Sequence, residues 1–440
     1  MTLPDGKVNS PAVGEQTETS AHRNFAQVLV PRLLGNRPFR WYWGASTISM
    51  LGDGVSLVAI PLVAAVSLNA SPAQMGFLGV LFWVPSLIFS LHAGAWVDRL
   101  GNQRLVMIGA NLGSFAALIS IPVTFSCGVL SLPQLWASVF LVGSFSVLFT
   151  VSDNALFASL VPPDRYVEGQ SLMYGSQSAA SLAGPSAGGV LVQIMTAPFA
   201  ILVDALSFLG SALMLVRAHT TEPPPDSGAS RGMLAECLRF IMTTATIRTA
   251  LATTSTVNFF SLMFHTLVIL FLSRDLHMSA GVIGLLFAGE AAGGLLGAVV
   301  TKGVAKKIGI GRSLLLGAVS ISAPLIIVPL IRERTPVTEL ALALVFFGSG
   351  LGRAIQNISV GAIFTMEVPN RMRSRARGAF QMVSFGARPV GAAIGGILGS
   401  VIGLPSTLMI SACGGLLVIF WILPSRLLHY RQAGQGSATA

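Results

Sequence analysis

The sequence predicts an all-α membrane protein whose twelve transmembrane helices form two six-helix bundles. Three observations carry that prediction. The 440 residues are 53% apolar and only 10% charged, with mean hydropathy +0.74, whereas soluble domains are about 25% charged. Apolar segments long enough to cross a hydrocarbon core of about 30 Å, which takes roughly 20 helical residues, recur along the chain. Short similarities also link its two halves at offsets of 204–208 residues. Gly79-Val80-Leu81-Phe82 matches Gly284-Leu285-Leu286-Phe287, and Gly101-Asn102-Gln103-Arg104 matches Gly309-Ile310-Gly311-Arg312. Gln177 with Gly184-Pro185 matches Gln381 with Arg388-Pro389 at the same internal gap. Such pairing is the mark of a duplicated helical half.

In chain order, residues 1–40 are polar and lack the apolar run of a signal peptide, so they read as a disordered tail. Trp41 and Trp43 then mark a membrane interface. The N-terminal bundle, 41–217, holds spans at 42–67, 73–95, 105–125, 132–156, 169–193 and 198–217. A linker at 218–248 follows. It opens on a stiff Pro-rich stretch at Thr220–Asp226 and continues as a surface helix over Arg231–Ile241, where charged and apolar residues alternate at helical spacing. The C-terminal bundle, 249–425, holds spans at 249–272, 280–301, 312–331, 337–362, 377–400 and 405–424, before a tail at 426–440.

An even number of spans places both termini on one side. Of the 27 Lys and Arg, 22 fall on the terminus side and three on the other (Arg274, Arg332, Arg334), while Arg353 and Arg388 lie within spans. Positive charge accumulates on the cytoplasmic side of such proteins, so both termini are expected there. The net charge of +10 therefore tracks topology, not a nucleic-acid face. Cys127, Cys237 and Cys413 are far apart, without metal-ligand spacing. No phosphate loop for ATP and no hydrolytic triad on a soluble domain is present, so neither a cofactor nor an enzyme is expected.

Between spans two and three lies Gly94-Ala95-Trp96-Val97-Asp98-Arg99-Leu100-Gly101-Asn102-Gln103-Arg104, read as a tight turn between antiparallel helices. Gly94, Asp98, Arg99, Gly101 and Arg104 resemble the Gly-x-x-x-Asp-Arg-x-Gly-x-[Arg/Lys] loop of the major facilitator superfamily, with Gln103 one step before the final base. The resemblance implies the major facilitator fold and gives these residues the role of a conformational latch. The C-terminal half offers Lys306 and Lys307 in the equivalent region, so the latch has degenerated there.

Span five carries Ala180-Ser181-Leu182-Ala183-Gly184-Pro185-Ser186-Ala187-Gly188-Gly189. Small residues let helices pack closely, and proline kinks a helix. Gly184, Pro185, Gly188 and Gly189 resemble the antiporter signature of the superfamily's drug exporters, with Ala180 in place of its first glycine. Ordinary small-residue packing is the other reading. Leu51-Gly52-Asp53-Gly54, Leu160-Val161-Pro162 and Asp204-Ala205-Leu206-Ser207-Phe208-Leu209 look like the bacterial macrolide-efflux and enterobactin-exporter branch.

Six ionisable residues fall inside spans: Asp53, Asp153, Asp204, Glu290, Arg353 and Arg388. A charge at the bilayer centre costs about 2.5–3.5 kcal/mol even on the insertion scale, so each must face the bundle interior, pair or sit protonated, and all six are candidates for a proton or substrate pathway. Asp53 and Glu290, near mid-depth in opposite halves, are the candidate proton carriers, and Arg388 is the candidate countercharge. Asp53 is favoured because its flanking glycines would open the backbone to water or substrate. Asp153 reads either as a pathway residue or as an interfacial cap, and Asp204 either as pathway or as an interhelical hydrogen bond. Arg353 would neutralise a buried acid or reach toward the cytoplasm. His265 is a further possible proton carrier, while His92 is less informative.

The resemblance implies a monomeric exporter in a bacterial inner membrane, moving a bulky amphipathic natural product against inward proton flow. Two other classes stay open. A proton-coupled importer would share the fold but place more polar groups in its central spans. A sensor or scaffold would not need ionisable groups at mid-depth.

Overall fold

The computed structural model describes residues 32–218, 239–369 and 372–429; for 32, 90–96, 98–100, 163, 374–375, 426 and 429 the description covers the backbone alone. The first half contributes α1 (Arg37–Leu62), α2 (Pro72–Leu100), α3 (Gln103–Ser126), α4 (Leu132–Leu160), α5 (Tyr166–Met195) and α6 (Ala197–Arg217). The second contributes α7 (Ala245–Arg274), α8 (Ala280–Ile308), α9 (Ile310–Ser322), α10 (Pro336–Glu367), α11 (Arg373–Val401) and α12 (Leu404–Gly415), the last continued by α13 (Val418–Ile422). A π-helical turn, Val63–Ser67, extends α1, and a 3-10 segment, Pro324–Leu330, extends α9.

Among the described residues, eleven helices are long and apolar enough to cross a membrane. The remaining long helix is α5. Its 30 residues reach about 45 Å at helical rise, but Ser, Gln and Gly replace much of the apolar surface. It packs on α1, α6 and α8, and the residues it buries are nearly all small. Such a helix is stabilised by its neighbours more than by hydropathy.

Several boundaries differ from the sequence expectation. The N-terminal tail was expected to reach residue 40, yet residues 32–40 already hold a 3-10 turn and the start of α1. A 3-10 turn at Arg32–Gly35 docks through the Leu33 amide, which donates to Glu168 Oε1 at 3.0 Å, and Leu33 and Phe39 are buried. The turn between α2 and α3 is only Gly101-Asn102, because α2 runs through Leu100. Gly101 ends it in the left-handed conformation, φ 63°, which glycine adopts without a steric penalty. The Asn102 side chain then caps α3 by accepting from the Leu105 amide at 3.1 Å. Hydropathy marks where lipid begins, not where helical hydrogen bonding stops. The linker's Pro-rich stretch and most of the expected surface helix at 231–241 lie outside the described residues, as do 1–31 and 430–440.

The bundles meet along two helix pairs, α2 with α11 and α5 with α8. The half-chain repeat exchanges these pairs. Each is a backbone-to-backbone crossing at glycine: a Cβ built on Gly76 would lie 2.6 Å from Gly396 Cα, and one on Gly189 3.0 Å from Gly284 Cα. Both crossings lie toward the end opposite the termini. There Arg274 Nη2 donates to the Ala65 carbonyl at 2.7 Å, and the Ala73 amide to Ser400 Oγ at 2.9 Å. One large apolar core at that end draws on both bundles. At the terminus end the cores are separate, one from the N-terminal bundle and another from the C-terminal bundle. Among the described residues, the cleft between the bundles therefore opens toward the terminus end.

Candidate functional site

A stripe on α7 organises the C-terminal side of the site. Asn258, Ser261 and His265 follow i, i+3, i+7 spacing and so share one face of the helix. Glu290 of α8 and Arg353 of α10 meet this face. Arg353 Nη2 lies 3.0 Å from Glu290 Oε1 and 3.1 Å from Ser261 Oγ. His265 Nε2 lies 3.3 Å from Glu290 Oε2. The other ring nitrogen, Nδ1, is 2.7 Å from the Ser261 carbonyl. A carbonyl only accepts, so Nδ1 carries a proton.

That assignment constrains the contact with Glu290. If the carboxyl is ionised, Nε2 must be protonated to bond it, and the imidazole is then a cation. If the imidazole is neutral, its Nε2 lone pair needs a protonated carboxyl. Either way one proton lies between His265 and Glu290. With Arg353, the trio carries a net charge of +1 when loaded and is neutral once the proton leaves.

Arg388 of α11 is elsewhere. Its Nε and Nη2 donate to Asn258 Oδ1 at 3.3 and 3.2 Å. Asn258 Nδ2 donates to the Ser384 carbonyl at 3.0 Å, which fixes the amide with its oxygen toward the arginine. The guanidinium carbon lies 4.2 Å from the ring centroid of Trp83 on α2 and 4.1 Å from that of Phe385. Arg388 thus has no acidic partner among the described residues, which corrects the expectation that it is the countercharge. Arg353 meets the acid instead.

On the N-terminal side, Asp53 is exposed and lies three turns along α1 from Tyr42, on the same face. Tyr42 Oη donates to Asp153 Oδ1 of α4 at 2.7 Å, so Asp153 joins α1 to α4 and does not cap a helix. Asp204 of α6, 1% exposed, accepts from Ser56 Oγ of α1 and from Ser207 Oγ at 3.1 Å. These hydroxyl donors satisfy an ionised or a neutral acid, and Asp204 ties α6 to α1. The glycines beside Asp53 do not open its backbone to water. Gly52 faces Asp204 and Ser207, while a Cβ on Gly54 would lie 2.7 Å from Gly184 Cα.

The small-residue stretch of α5 divides between two interfaces. A Cβ on Gly184 would lie 2.7 Å from Gly54 Cα, and one on Gly188 would lie 2.9 Å from the Cα and the carbonyl of Val55, both on α1. Gly189 faces α8 in the other bundle. Pro185 is buried in the helix between them. Of the latch residues, Gly94, Asp98 and Arg99 lie in the last turns of α2, and Arg104 Nη1 donates to the Val216 carbonyl at 3.4 Å. The side chains of Asp98 and Arg99 lie outside the described residues.

Sequence reasoning missed Ser261, Asn258, Trp83 and Phe385. A mid-span asparagine and tryptophan were visible signals. A separate groove of about 420 Å³, lined by residues including Ser255, Thr256, Phe260 and Trp421, lies between α7 and the α12–α13 break.

Antiparallel helices in two repeated bundles, with ionisable groups held at mid-depth beside the cleft, define a transporter of the major facilitator type. The chain belongs to the transmembrane secretion effector family, whose profile matches residues 31–439. It is 25% identical over 403 residues to YfiS, an MFS-type transporter of Bacillus subtilis, covering 86% of this chain and 90% of that one. It is 24% identical over 396 residues to the multidrug efflux pump Tap of Mycobacterium tuberculosis, covering 85% and 91%. Among solved structures, it resembles a bacterial homologue of the human lysosomal transporter Spinster in an inward-facing, unoccupied conformation, with TM-score 0.69 at 15% identity over 89% of this chain and 97% of that one. A bacterial homologue of the iron transporter ferroportin, inward-facing, gives TM-score 0.70 at 15% identity over 88% and 98%. These structures share the fold.

Proposed function

We propose that the protein exports bulky amphipathic small molecules from the cytoplasm by proton antiport, alternating between cleft openings on the two sides of a bacterial inner membrane. The observation that carries this reading is the His265–Glu290 contact, which is satisfied only with a proton in place. A carrier of this kind binds a proton from one side and gives it up to the other. The bias of Lys and Arg toward the terminus side makes that side cytoplasmic, so the cleft is open inward. Releasing the proton there discharges the trio and leaves two lone pairs facing each other, which favours rearrangement. Similarity to multidrug efflux pumps supports the outward direction, as does the small-residue run on α5.

The test is proton-driven uptake into inverted vesicles from cells overproducing the chain, with a panel of fluorescent amphiphiles that spans anionic, neutral and cationic members. Export predicts accumulation inside the vesicles that collapses when nigericin dissipates the pH gradient. Accumulation in right-side-out vesicles under an inward proton gradient would mean an importer and overturn the reading.

A further inference from the structure

Arg388 stands out among the charges at mid-depth because a neutral amide, not an acid, is its partner. Asn258 occupies the acceptor position, oriented by its bond to the Ser384 carbonyl. The half-chain offset places Asn258 where the N-terminal half carries Asp53, and Arg388 where it carries Gly184. At these offsets the second half carries an amide where the first carries an acid, and a cation where the first carries a glycine. Such a charge is costly at mid-depth unless a counterion arrives.

The surroundings suit an arriving counterion. Nε and Nη2 are engaged, but Nη1 makes no hydrogen bond among the described residues, and the side chain is only partly buried. Guanidinium presents a planar fork that matches a carboxylate. Trp83 and Phe385 flank it at 4.2 and 4.1 Å, with their rings 6.1 Å apart and inclined at 65°. One ring comes from α2 and the other from α11, so the apolar wall spans both bundles.

We propose that Arg388, Trp83, Phe385 and Asn258 form a substrate site for anionic amphiphiles that carry a carboxylate beside an aromatic or planar apolar body. The carboxylate binds at the Nη1 edge of Arg388, and the apolar body lies along the Trp83 and Phe385 rings. The ligand then touches both bundles, and its affinity depends on their relative position. Monovalent cations are disfavoured at this site by the arginine itself. This assignment deepens the export reading by naming its substrate class, and it rests on that reading only for the direction of movement.

The test is equilibrium binding to the full chain in lipid nanodiscs, corrected against empty discs, so that no transport is required. The probes are 2-naphthoate, its uncharged methyl ester and 2-naphthylmethylammonium. The wild type should bind the acid at least about tenfold more tightly than the ester or the ammonium, a difference equivalent to roughly 1.4 kcal/mol. Arg388→Gln should lose that preference while binding the ester as before. Asn258→Asp supplies an internal carboxylate to the same guanidinium and should also abolish it. Arg388→Lys should keep part of it. Equal binding of acid and ester by the wild type, preference for the ammonium, or parallel loss of acid and ester in Arg388→Gln would each overturn the proposal. Failure of proton-driven export in vesicles would instead sink the export reading and leave these binding results standing.

Discussion

At Glu290 the hydrogen-bond geometry sets a condition on protonation that Asp153 and Asp204 escape, since hydroxyl donors serve those two acids in either form. Glu290→Gln keeps the shape of the loaded trio, because the amide can donate to His265 Nε2 and accept from Arg353. It should therefore behave as permanently loaded. Uptake driven by a pH gradient should fall by about tenfold or more, the effect of only ~1.4 kcal/mol, while substrate exchange without a gradient stays within a few-fold of wild type. If Asp53→Asn loses the gradient dependence and Glu290→Gln keeps it, the proton travels through the N-terminal bundle. The six charged positions were legible in the sequence because charge is conspicuous among apolar neighbours. Their pairing was not. Glu290 meets residues 25 and 63 positions away, and such distances in sequence carry no signal of contact.

Among the elements, α5 shows how a stretch of small residues divides its work. Gly184 and Gly188 seat the helix on α1, whereas Gly189 brings it against α8 across the bundle boundary. Gly188→Val places methyl groups against the Val55 backbone, which side-chain movement cannot relieve. Overpacking of this kind costs about 1–3 kcal/mol. The variant should insert in the membrane at near-normal levels, and its vesicle uptake should fall to background. Undiminished uptake would show that α5 need not hold this crossing during the cycle. Among the described residues the same helix is the long one that falls short of a membrane span's hydropathy, and the residues it buries, from Gly169 and Ser176 to Gly188 and Gly189, are nearly all small.

Across the whole molecule, the end opposite the termini is closed by α2–α11 and α5–α8, with Arg274 bonded to the α1 extension. Transport by alternating access requires these contacts to part. Ala73→Cys with Ser400→Cys, built in a chain lacking Cys127, Cys237 and Cys413, should form a disulfide across α2 and α11. Oxidation should then stop vesicle uptake and reduction restore it; uptake that persists in the oxidised, fully cross-linked protein would show that this end need not open. Asp98 belongs to the other end, three residues before the left-handed Gly101. Asp98→Asn should slow transport severely while substrate affinity stays within a few-fold. A collapse of affinity with normal turnover of bound substrate would assign Asp98 to binding instead of latching.

The sequence by itself determined the class of protein, the number of crossings, the duplication and the identity of the ionisable positions. All of these follow from hydropathy, charge and local spacing, which act along the chain. Tertiary structure decided which charge meets which. It gave Glu290 to Arg353 and His265, turned Arg388 toward an amide and two aromatic rings, and joined Asp204 to α1. It also decided that the cleft opens at the terminus end, because glycine crossings and one shared apolar core draw the bundles together at the other. Helix-to-helix contact depends on how two surfaces rotate and slide against each other, and neither surface encodes that choice alone.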